Sequence, residues 1–154
     1  LVLSTLHTND APATISRMLN MGVEPFLITA SVNLVLAQRL ARKVCSDCRA
    51  PYRVEPEQLR EFGFTEQQAT VGQLIRGQGC KNCNGSGYRG RVALYEVMKF
   101  TENLKEMVLQ GASTAELKTA AIRAGMKSLR MSGIEKVLQG ITTIEEVGRV
   151  TMGD

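Results

Sequence analysis

The sequence predicts an α/β fold with a metal-binding insertion and a helical end, and three observations support this prediction. The chain opens with a strand-like apolar run at residues 1–6, continues with a helical pattern, and returns to an apolar run at residues 32–40. A strand, helix, strand order usually places the strands side by side and parallel. Two cysteine pairs follow this α/β part, and the pattern is helical from Thr101 onward.

These changes of pattern divide the chain into four expected segments. They are an α/β part at residues 1–44, a cysteine-containing insertion at 45–90, a connecting strand at 91–100 and a helical subdomain at 101–154. The opening run has no initiator methionine and no turn before it, and a lone apolar strand needs sheet neighbours to be stable. We therefore interpret the chain as a fragment of a larger α/β domain.

Local signals place the elements of the first two segments. The first helix is expected from about Asp10 to Met21, because Asn9 or Asp10 can cap it, Pro12 suits its first turn and Gly22 supplies a left-handed stop. The other elements expected before residue 100 are a helix from Pro25 to about residue 31, a strand at 32–40, a helix at 56–62, a turn capped by Thr65, and strands at 73–76 and 91–99.

The strand at 91–99 alternates, so we expect Val92, Leu94 and Tyr95 to face inward. After it, helices are expected at residues 102–110, 113–124, 127–139 and from 142 onward, with Gly111, Gly125 and Gly140 as stops. Capping-box spacing opens the second and the last of them. Their apolar residues predict one common core, and this segment carries no recognisable chemistry.

Four cysteines form the strongest chemical signal. Cys45 and Cys48 make one C-x-x-C pair, and Cys80 and Cys83 make a second pair after 31 intervening residues. Two such pairs can complete a tetrahedral shell of four sulfurs, and a closed shell of this kind is typical of structural zinc. Iron in a rubredoxin-like site fits the same spacing. Disulfides are the third alternative, although nothing marks the chain as secreted.

Composition limits the other classes of function. The 154 residues carry a net charge of +4, which permits an acidic partner without requiring one. Aromatic residues make up only 5% of the chain and tryptophan is absent, which disfavours a stacking platform for single-stranded nucleic acid. No apolar run approaches the roughly 18 residues of a membrane span, and no signal peptide is visible.

His7 is the only histidine, and it directly follows the opening apolar run. One interpretation is a capping or hydrogen-bonding residue at a strand end. Another follows from its position, because carboxyl ends of strands in open α/β sheets face the ligand crevice. The neighbouring polar side chains suit the edge of a phosphate; they are Ser4, Thr5, Thr8 and Asn9. No G-x-x-x-x-G-K-[ST] phosphate loop is present, so a nucleotide site is weakly supported by these residues alone.

A basic run surrounds the first cysteine pair, and its members are Arg39, Arg42, Lys43, Arg49 and Arg53. Such a run is most simply a solvated surface. It also suits contact with a phosphate or with an acidic partner.

Several motifs together resemble one protein family. Residues 3–11 (LSTLHTNDA) look like the histidine box of the ATPases that drive type II secretion and type IV pilus assembly, and residues 38–42 (QRLAR) resemble the segment before their tetracysteine motif. The two cysteine pairs followed by residues 87–91 (GYRGR), then residues 93–97 (ALYEV) and 142–151 (TTIEEVGRVT), match as well. The similarity covers essentially the whole chain in the same order, and it is greatest to the pilus-extension (PilB-type) branch.

The resemblance implies the C-terminal part of a RecA-like ATPase domain, with the four cysteines binding zinc. It also implies a hexamer in the cytoplasm, working against the inner-membrane platform and coupling ATP hydrolysis to pilin polymerisation. In this family the histidine box approaches the γ-phosphate of ATP with its magnesium, a role that falls here to His7, with Thr5 as a weaker candidate. Arg39 matches the family segment and is a candidate nucleotide contact. The phosphate loop and catalytic glutamate are missing, so we expect the fragment alone to be inactive.

Three other functions stay open at this point. A type II secretion ATPase would share every motif above. A zinc-ribbon module that binds nucleic acid is favoured by the basic pI, but the scarce aromatic residues disfavour it. A chaperone-type zinc domain would share the C-x-x-C-x-G-x-G unit that begins at Cys80, but the pair that begins at Cys45 lacks the glycines.

Overall fold

The computed structural model describes residues 1–152, and the chain forms two compact units in it. The first unit comprises residues 1–38 and 95–128, and the second comprises residues 39–94 and 129–152. The helices are α1 (Ala11–Asn20), α2 (Pro25–Ser31), α3 (Pro56–Phe62), α4 (Glu66–Ala69), α5 (Glu102–Leu109), α6 (Thr114–Arg123), α7 (Leu129–Leu138) and α8 (Ile144–Val150). The strands are β1 (Leu34–Val44), β2 (Arg49–Arg53), β3 (Gln73–Gly77) and β4 (Tyr88–Lys99).

The first unit packs α1, α2, α5 and α6 around one apolar cluster. Asp10 caps α1 by accepting a hydrogen bond from the Ala13 N–H, and Pro12 lies in the first turn, as the sequence predicts. The capping box at Ser113 and Glu116 is present and opens α6. The buried members of this cluster include Ile15, Ile28, Met98, Phe100, Leu104, Val108, Leu117 and Ala121.

The second unit contains the ribbon of β2 and β3, which pair antiparallel with Arg49 opposite Gly77. The predicted α3, the turn capped by Thr65 and β3 are confirmed, whereas β2 was not predicted. The largest apolar cluster of the second unit packs residues of α3, α4 and β3 against α7 and α8. The buried members are Leu59, Phe64, Ala69, Leu74, Ile134, Val137 and Val147.

The long strands β1 and β4 form a two-stranded sheet. The Phe100 N–H donates to the Asn33 carbonyl at one end, and the Cys45 N–H donates to the Gly87 carbonyl at the other. The strands therefore run antiparallel. The parallel pairing expected between residues 1–6 and 32–40 is wrong, because residues 1–6 form no strand and β1 pairs with β4 instead.

The predicted strand at residues 1–6 is also wrong. The segment forms no regular secondary structure, and Leu1, Val2 and Leu3 are at least 87% exposed. A strand requires backbone partners, and within residues 1–152 no strand pairs with this run.

Two predictions about packing need correction. Tyr95 points outward and is 48% exposed, while Glu96 is fully buried. The reason is that every second residue of β4 from Leu94 to Met98 faces inward, and Glu96 lies between them. The apolar residues of the last four helices do not form one core. Those of α5 and α6 belong to the cluster of the first unit, and those of α7 and α8 belong to clusters of the second unit. Gly153 and Asp154, the end of the predicted helical subdomain, lie outside the described residues.

Candidate metal centre

The β2–β3 ribbon brings the two cysteine pairs together. Cys48 directly precedes β2, and β3 ends at Gly77, three residues before Cys80. The Gln78 N–H donates to the Cys48 carbonyl, and the Cys45 N–H donates to the Gly87 carbonyl. The two turns are therefore held side by side by backbone hydrogen bonds from both flanks.

All four Sγ atoms converge within 4.8 Å of one another. The Cys45–Cys80, Cys48–Cys83 and Cys80–Cys83 sulfur pairs are separated by 3.9, 3.8 and 3.7 Å. Four sulfurs at about 2.3 Å from a tetrahedral zinc ion would lie about 3.8 Å apart. A disulfide requires about 2.05 Å, and all four cysteines are free. The geometry fits a metal ion and is incompatible with the disulfide alternative.

Backbone amides point at two of the sulfurs. The N–H groups of Cys80 and Gly87 donate to Cys83 Sγ at 3.2 and 3.3 Å, and that of Gly79 donates to Cys48 Sγ at 3.3 Å. The hydrogen bond from Cys80, assisted by that from Gly87, lowers the pKa of the Cys83 thiol to about 6. Burial raises the pKa of the Cys48 thiol to about 11. A bound cation would hold all four sulfurs as thiolates, and the amides would fix their orientation.

Glycine is required where the loop backbone approaches the ribbon end. A Cβ atom at Gly77 would overlap the Gly87 carbonyl group, and a Cβ at Gly79 would lie 2.6 Å from the Gly85 oxygen. The obstacles are backbone atoms, which cannot move aside as a side chain can. The glycines near the second pair therefore allow the loop to fold over the sulfurs.

A polar contact joins the two cysteine turns on their exposed side. The Asn82 amide donates to Asp47 Oδ2 at 2.8 Å, and Arg89 forms an ion pair with the same oxygen at 3.7 Å. The hydrogen bond from Asn82 is the main reason that the pKa of Asp47 is lowered. This contact could not be predicted, because residues 35 positions apart give no local signal.

The predicted phosphate-contact residues of the first unit lie in one exposed segment. His7 is exposed, and Thr5 lines a cavity of about 320 Å³ together with Ser4, Thr8 and Thr14. Hydroxyl-bearing side chains that flank the histidine in sequence thus line one cavity. His7 itself is not among the residues that line this cavity.

The basic run lies in the second unit, and its members differ in their surroundings. Arg39 is half-buried on β1, whereas Lys43, Arg49 and Arg53 are exposed. Arg42 forms an ion pair with the buried Glu146 at 2.8 Å. Part of the run is therefore used within the protein, and the exposed members form a solvated surface.

Two buried carboxylates were missed by the sequence analysis. Glu96 and Glu146 are 0% and 1% exposed. Glu96 has the same strand parity as Leu94 and Met98, and that parity was a usable signal for its burial. Glu146 occupies the position that a capping box would use, but its carboxylate binds Arg42 and Arg149 instead.

Comparison with known proteins assigns the chain to a family. The model of the family described as "Type II/IV secretion system protein" matches residues 1–149. The chain is 58% identical over 148 residues to the type IV pilus assembly ATPase PilB of Myxococcus xanthus, covering 96% of this chain and 26% of the relative. It is 46% identical over 151 residues to PilB of Pseudomonas aeruginosa, covering 98% and 26%.

The similarity extends to secretion proteins. The chain is 44% identical over 151 residues to the type II secretion system ATPase E of Vibrio cholerae, covering 98% of this chain and 29% of the relative. The chain thus spans less than a third of the length of these curated relatives. Within the described residues, no helix is both long enough and apolar enough to cross a membrane. The family model and these identities show that the chain belongs to the family of type II secretion and type IV pilus assembly ATPases.

Proposed function

We propose that the chain is the C-terminal part of a RecA-like, hexameric ATPase that powers type IV pilus assembly. The observation that carries this proposal is the 58% identity to a pilus assembly ATPase across 96% of the chain. In the full-length protein, ATP hydrolysis with magnesium would drive pilin polymerisation through the inner-membrane platform. The protein would then work in the cytoplasm, at the surface of the inner membrane, and nucleic acid is not an expected partner.

The site residues have distinct roles in this proposal. His7 contacts the γ-phosphate of ATP, and Thr5 assists it. The support is that His7 is exposed and that its sequence neighbours Thr5 and Thr8 line a cavity. Arg39 is proposed as a further nucleotide contact, on the strength of its match to the family segment at residues 38–42.

The cysteine cluster is proposed to hold zinc as a structural ion. Its support is the chemistry of the donor set, because four sulfurs at 3.7–3.9 Å spacing with amide donors suit a tetrahedral thiolate site. The metal would crosslink the ends of β1, β2, β3 and β4 that lie next to the cysteines in the second unit. Closed four-sulfur sites leave no open position for a substrate, so this ion has no part in catalysis.

The experiment is an ATPase assay on the full-length protein with its His7→Ala variant. We expect magnesium-dependent turnover in the wild type and a loss of about 100-fold or more in the variant, the scale of losing one group that stabilises transition-state charge. Glu24→Gln, at an exposed residue before α2, is the matched control and keeps full activity. Absence of turnover in the wild type would contradict the proposal.

A type II secretion ATPase is the second candidate, favoured by the 44% identity to the Vibrio cholerae protein. Genetic complementation separates the two. Deletion of the full-length gene should abolish surface pili, and the wild-type copy should restore them. Loss of protein secretion with normal pili would instead favour the second candidate.

A further inference from the structure

Glu96 is a fully buried carboxylate without a role in the proposed function. It lies on β4 in the first unit, and its Oε1 atom accepts a hydrogen bond of 2.7 Å from the Ala11 N–H. Ala11 is the first residue of α1, four positions after His7. A carboxylate from a distant strand therefore holds the backbone where the histidine segment becomes a helix.

A second charged contact holds the neighbouring residue. Asp10 Oδ1 accepts from the Ala13 N–H, and its Oδ2 pairs with Lys118 Nζ of α6 at 3.1 Å. Only 11% of the Asp10 side chain and 19% of the Lys118 side chain are exposed. The start of α1 thus receives two carboxylates, which suits the positive end of its helix dipole.

Hydrogen bonds of two threonines also hold the backbone closer to His7. The Thr8 and Thr14 hydroxyls share a hydrogen bond of 2.8 Å, and the Thr14 hydroxyl donates to the Asp10 carbonyl at 3.2 Å. Thr8 is the residue next to His7. The backbone that carries the histidine is consequently anchored from α1, β4 and α6.

We propose that Glu96 and Lys118 are positioning residues that orient His7 toward the nucleotide. Burying a carboxylate costs free energy that an apolar side chain of similar size would avoid. The hydrogen bond from the Ala11 N–H offsets part of that cost, and it holds the backbone in place at the start of α1. The inference rests on the proposed function, because it assumes that His7 meets the γ-phosphate, but nothing in that function requires Glu96.

The first experiment measures kinetics of the full-length protein. Glu96→Ala removes the acceptor for the Ala11 N–H, and Glu96→Gln retains an oxygen that can accept. We expect kcat to fall about 10- to 100-fold in Glu96→Ala, because small misplacements of reacting groups act on this scale. The KM for ATP should stay within about twofold of the wild-type value. Glu96→Gln restores most of the activity. Glu106→Ala, at an exposed glutamate on α5 of the same unit, is the control.

A double-mutant cycle separates positioning from general destabilisation. If Glu96 acts through His7, adding Glu96→Ala to His7→Ala causes little further loss of kcat. Lys118→Met should lower kcat in the same non-additive way, and Lys118→Arg should restore it. The inference would be overturned if the fold-loss of kcat in the double variant equalled the product of the two single fold-losses, or if kcat were unchanged in Glu96→Ala. Either result would leave the proposed function intact.

Hydrogen exchange gives a readout that does not depend on activity. In the full-length protein, a peptide covering residues 8–14 should exchange faster in Glu96→Ala than in the wild type, and near the wild-type rate in Glu96→Gln. A peptide from α6 should be unchanged in both. Equal exchange of the 8–14 peptide in all three proteins would overturn the inference. Failure of wild-type turnover, or full activity of His7→Ala, would instead overturn the proposed function together with the inference.

Discussion

Arg42 and Glu146 are joined by three hydrogen bonds across a separation of 104 residues. The Arg42 backbone N–H donates to Oε1 at 2.9 Å, while its Nε and Nη2 donate to Oε2 at 3.0 and 2.8 Å. Arg149 adds a bond of 2.6 Å to Oε1. Tyr88 lies under the Arg42 guanidinium at 4.3 Å, and its hydroxyl shares a hydrogen bond of 2.7 Å with Thr143. The start of α8 is therefore tied to β1 and β4, the strands that lead to Cys45 and from Cys83.

Replacing Glu146 by Gln should destabilise the second unit. The change leaves Arg42 and Arg149 without a counter-charge, but both arginines are about half exposed, so water compensates in part. We expect the free energy of unfolding to fall by about 2 kcal/mol, the scale of a hydrogen bond to a charged group. Urea titration of the zinc-loaded chain measures it. Glu145→Gln, at the exposed neighbour on α8, is the control, and equal stability of the two variants would contradict the prediction.

The same carboxylate predicts a dependence of stability on pH. Burial alone would raise the pKa of Glu146, but hydrogen bonds from Arg149 and Arg42 outweigh it and lower the pKa from 4.5 to about 2. A lowered pKa in the folded state stabilises the protein above pH 4.5, and this contribution is lost as the pH falls toward 2. The stability difference between wild type and Glu146→Gln should therefore be constant near neutral pH and shrink between pH 4.5 and 2. A difference that grows on acidification would show that the sign is wrong.

Cys80→Ser should abolish metal binding. Structural zinc contributes about 10 kcal/mol or more to the folding of small modules, so losing one ligand should release the loop that it holds. We expect one bound zinc per wild-type chain and almost none in the variant, with faster amide exchange at residues 79–87. The helices α1 and α6 should keep their protection, since they belong to a separate apolar cluster. Lys81→Ala, at an exposed position inside the same pair, should retain the metal. Slow exchange at 79–87 without metal would count against a structural ion.

Gly77→Ala tests the close approach of the loop to the ribbon. The added methyl group would overlap the Gly87 carbonyl, so the loop must shift away from the sulfurs. Overpacking of this kind costs about 1–3 kcal/mol, and zinc affinity should fall in a chelator competition. Gly85→Ala is the comparison, because Gly85 has a positive φ, unlike Gly77, and has open space around it. It therefore reports backbone strain alone, which costs about 1 kcal/mol. A smaller loss of affinity in Gly77→Ala than in Gly85→Ala would contradict this explanation.

The 154-residue chain by itself should not hydrolyse ATP. Its sequence contains no G-x-x-x-x-G-K-[ST] pattern, and the phosphate-loop lysine and magnesium supply most of the charge stabilisation in phosphoryl transfer. A phosphate-release assay on the purified, zinc-loaded chain should give background rates, identical with His7→Ala. Turnover that depends on His7 in this chain would mean that the active site is complete within it.

Signals carried by neighbouring residues were reliable guides to the fold. Asp10 with Pro12 begins a helix, Ser113 with Glu116 forms a capping box, and Gly22 and Gly125 adopt positive φ at helix ends, as expected. The spacing of the cysteines likewise predicted a cluster of four sulfurs. The helix signals and each C-x-x-C pair depend on atoms a few residues apart, so the local sequence contains the necessary information. The two pairs lie 35 residues apart, and their meeting depends on the β2–β3 ribbon.

Pairings between distant segments could not be predicted in this way. The opening apolar run looked like a strand, but a strand exists only where another backbone completes its hydrogen bonds. Tyr95 was predicted as an inward residue, although alternation from Leu94 favours position 96. Alternation could not show that the Ala11 N–H would satisfy the buried Glu96 carboxylate.

The sequence alone determined which residues can bind a metal, where most helices begin and end, and to which family the chain is similar. Tertiary structure decided which buried charges meet, since Glu96 reaches Ala11 and Glu146 reaches Arg42 over 85 and 104 residues. The physical reason is that a buried carboxylate is tolerated only where the fold supplies its donors. Those donors lie on segments that are far apart in the sequence, and no local pattern shows that the segments will meet.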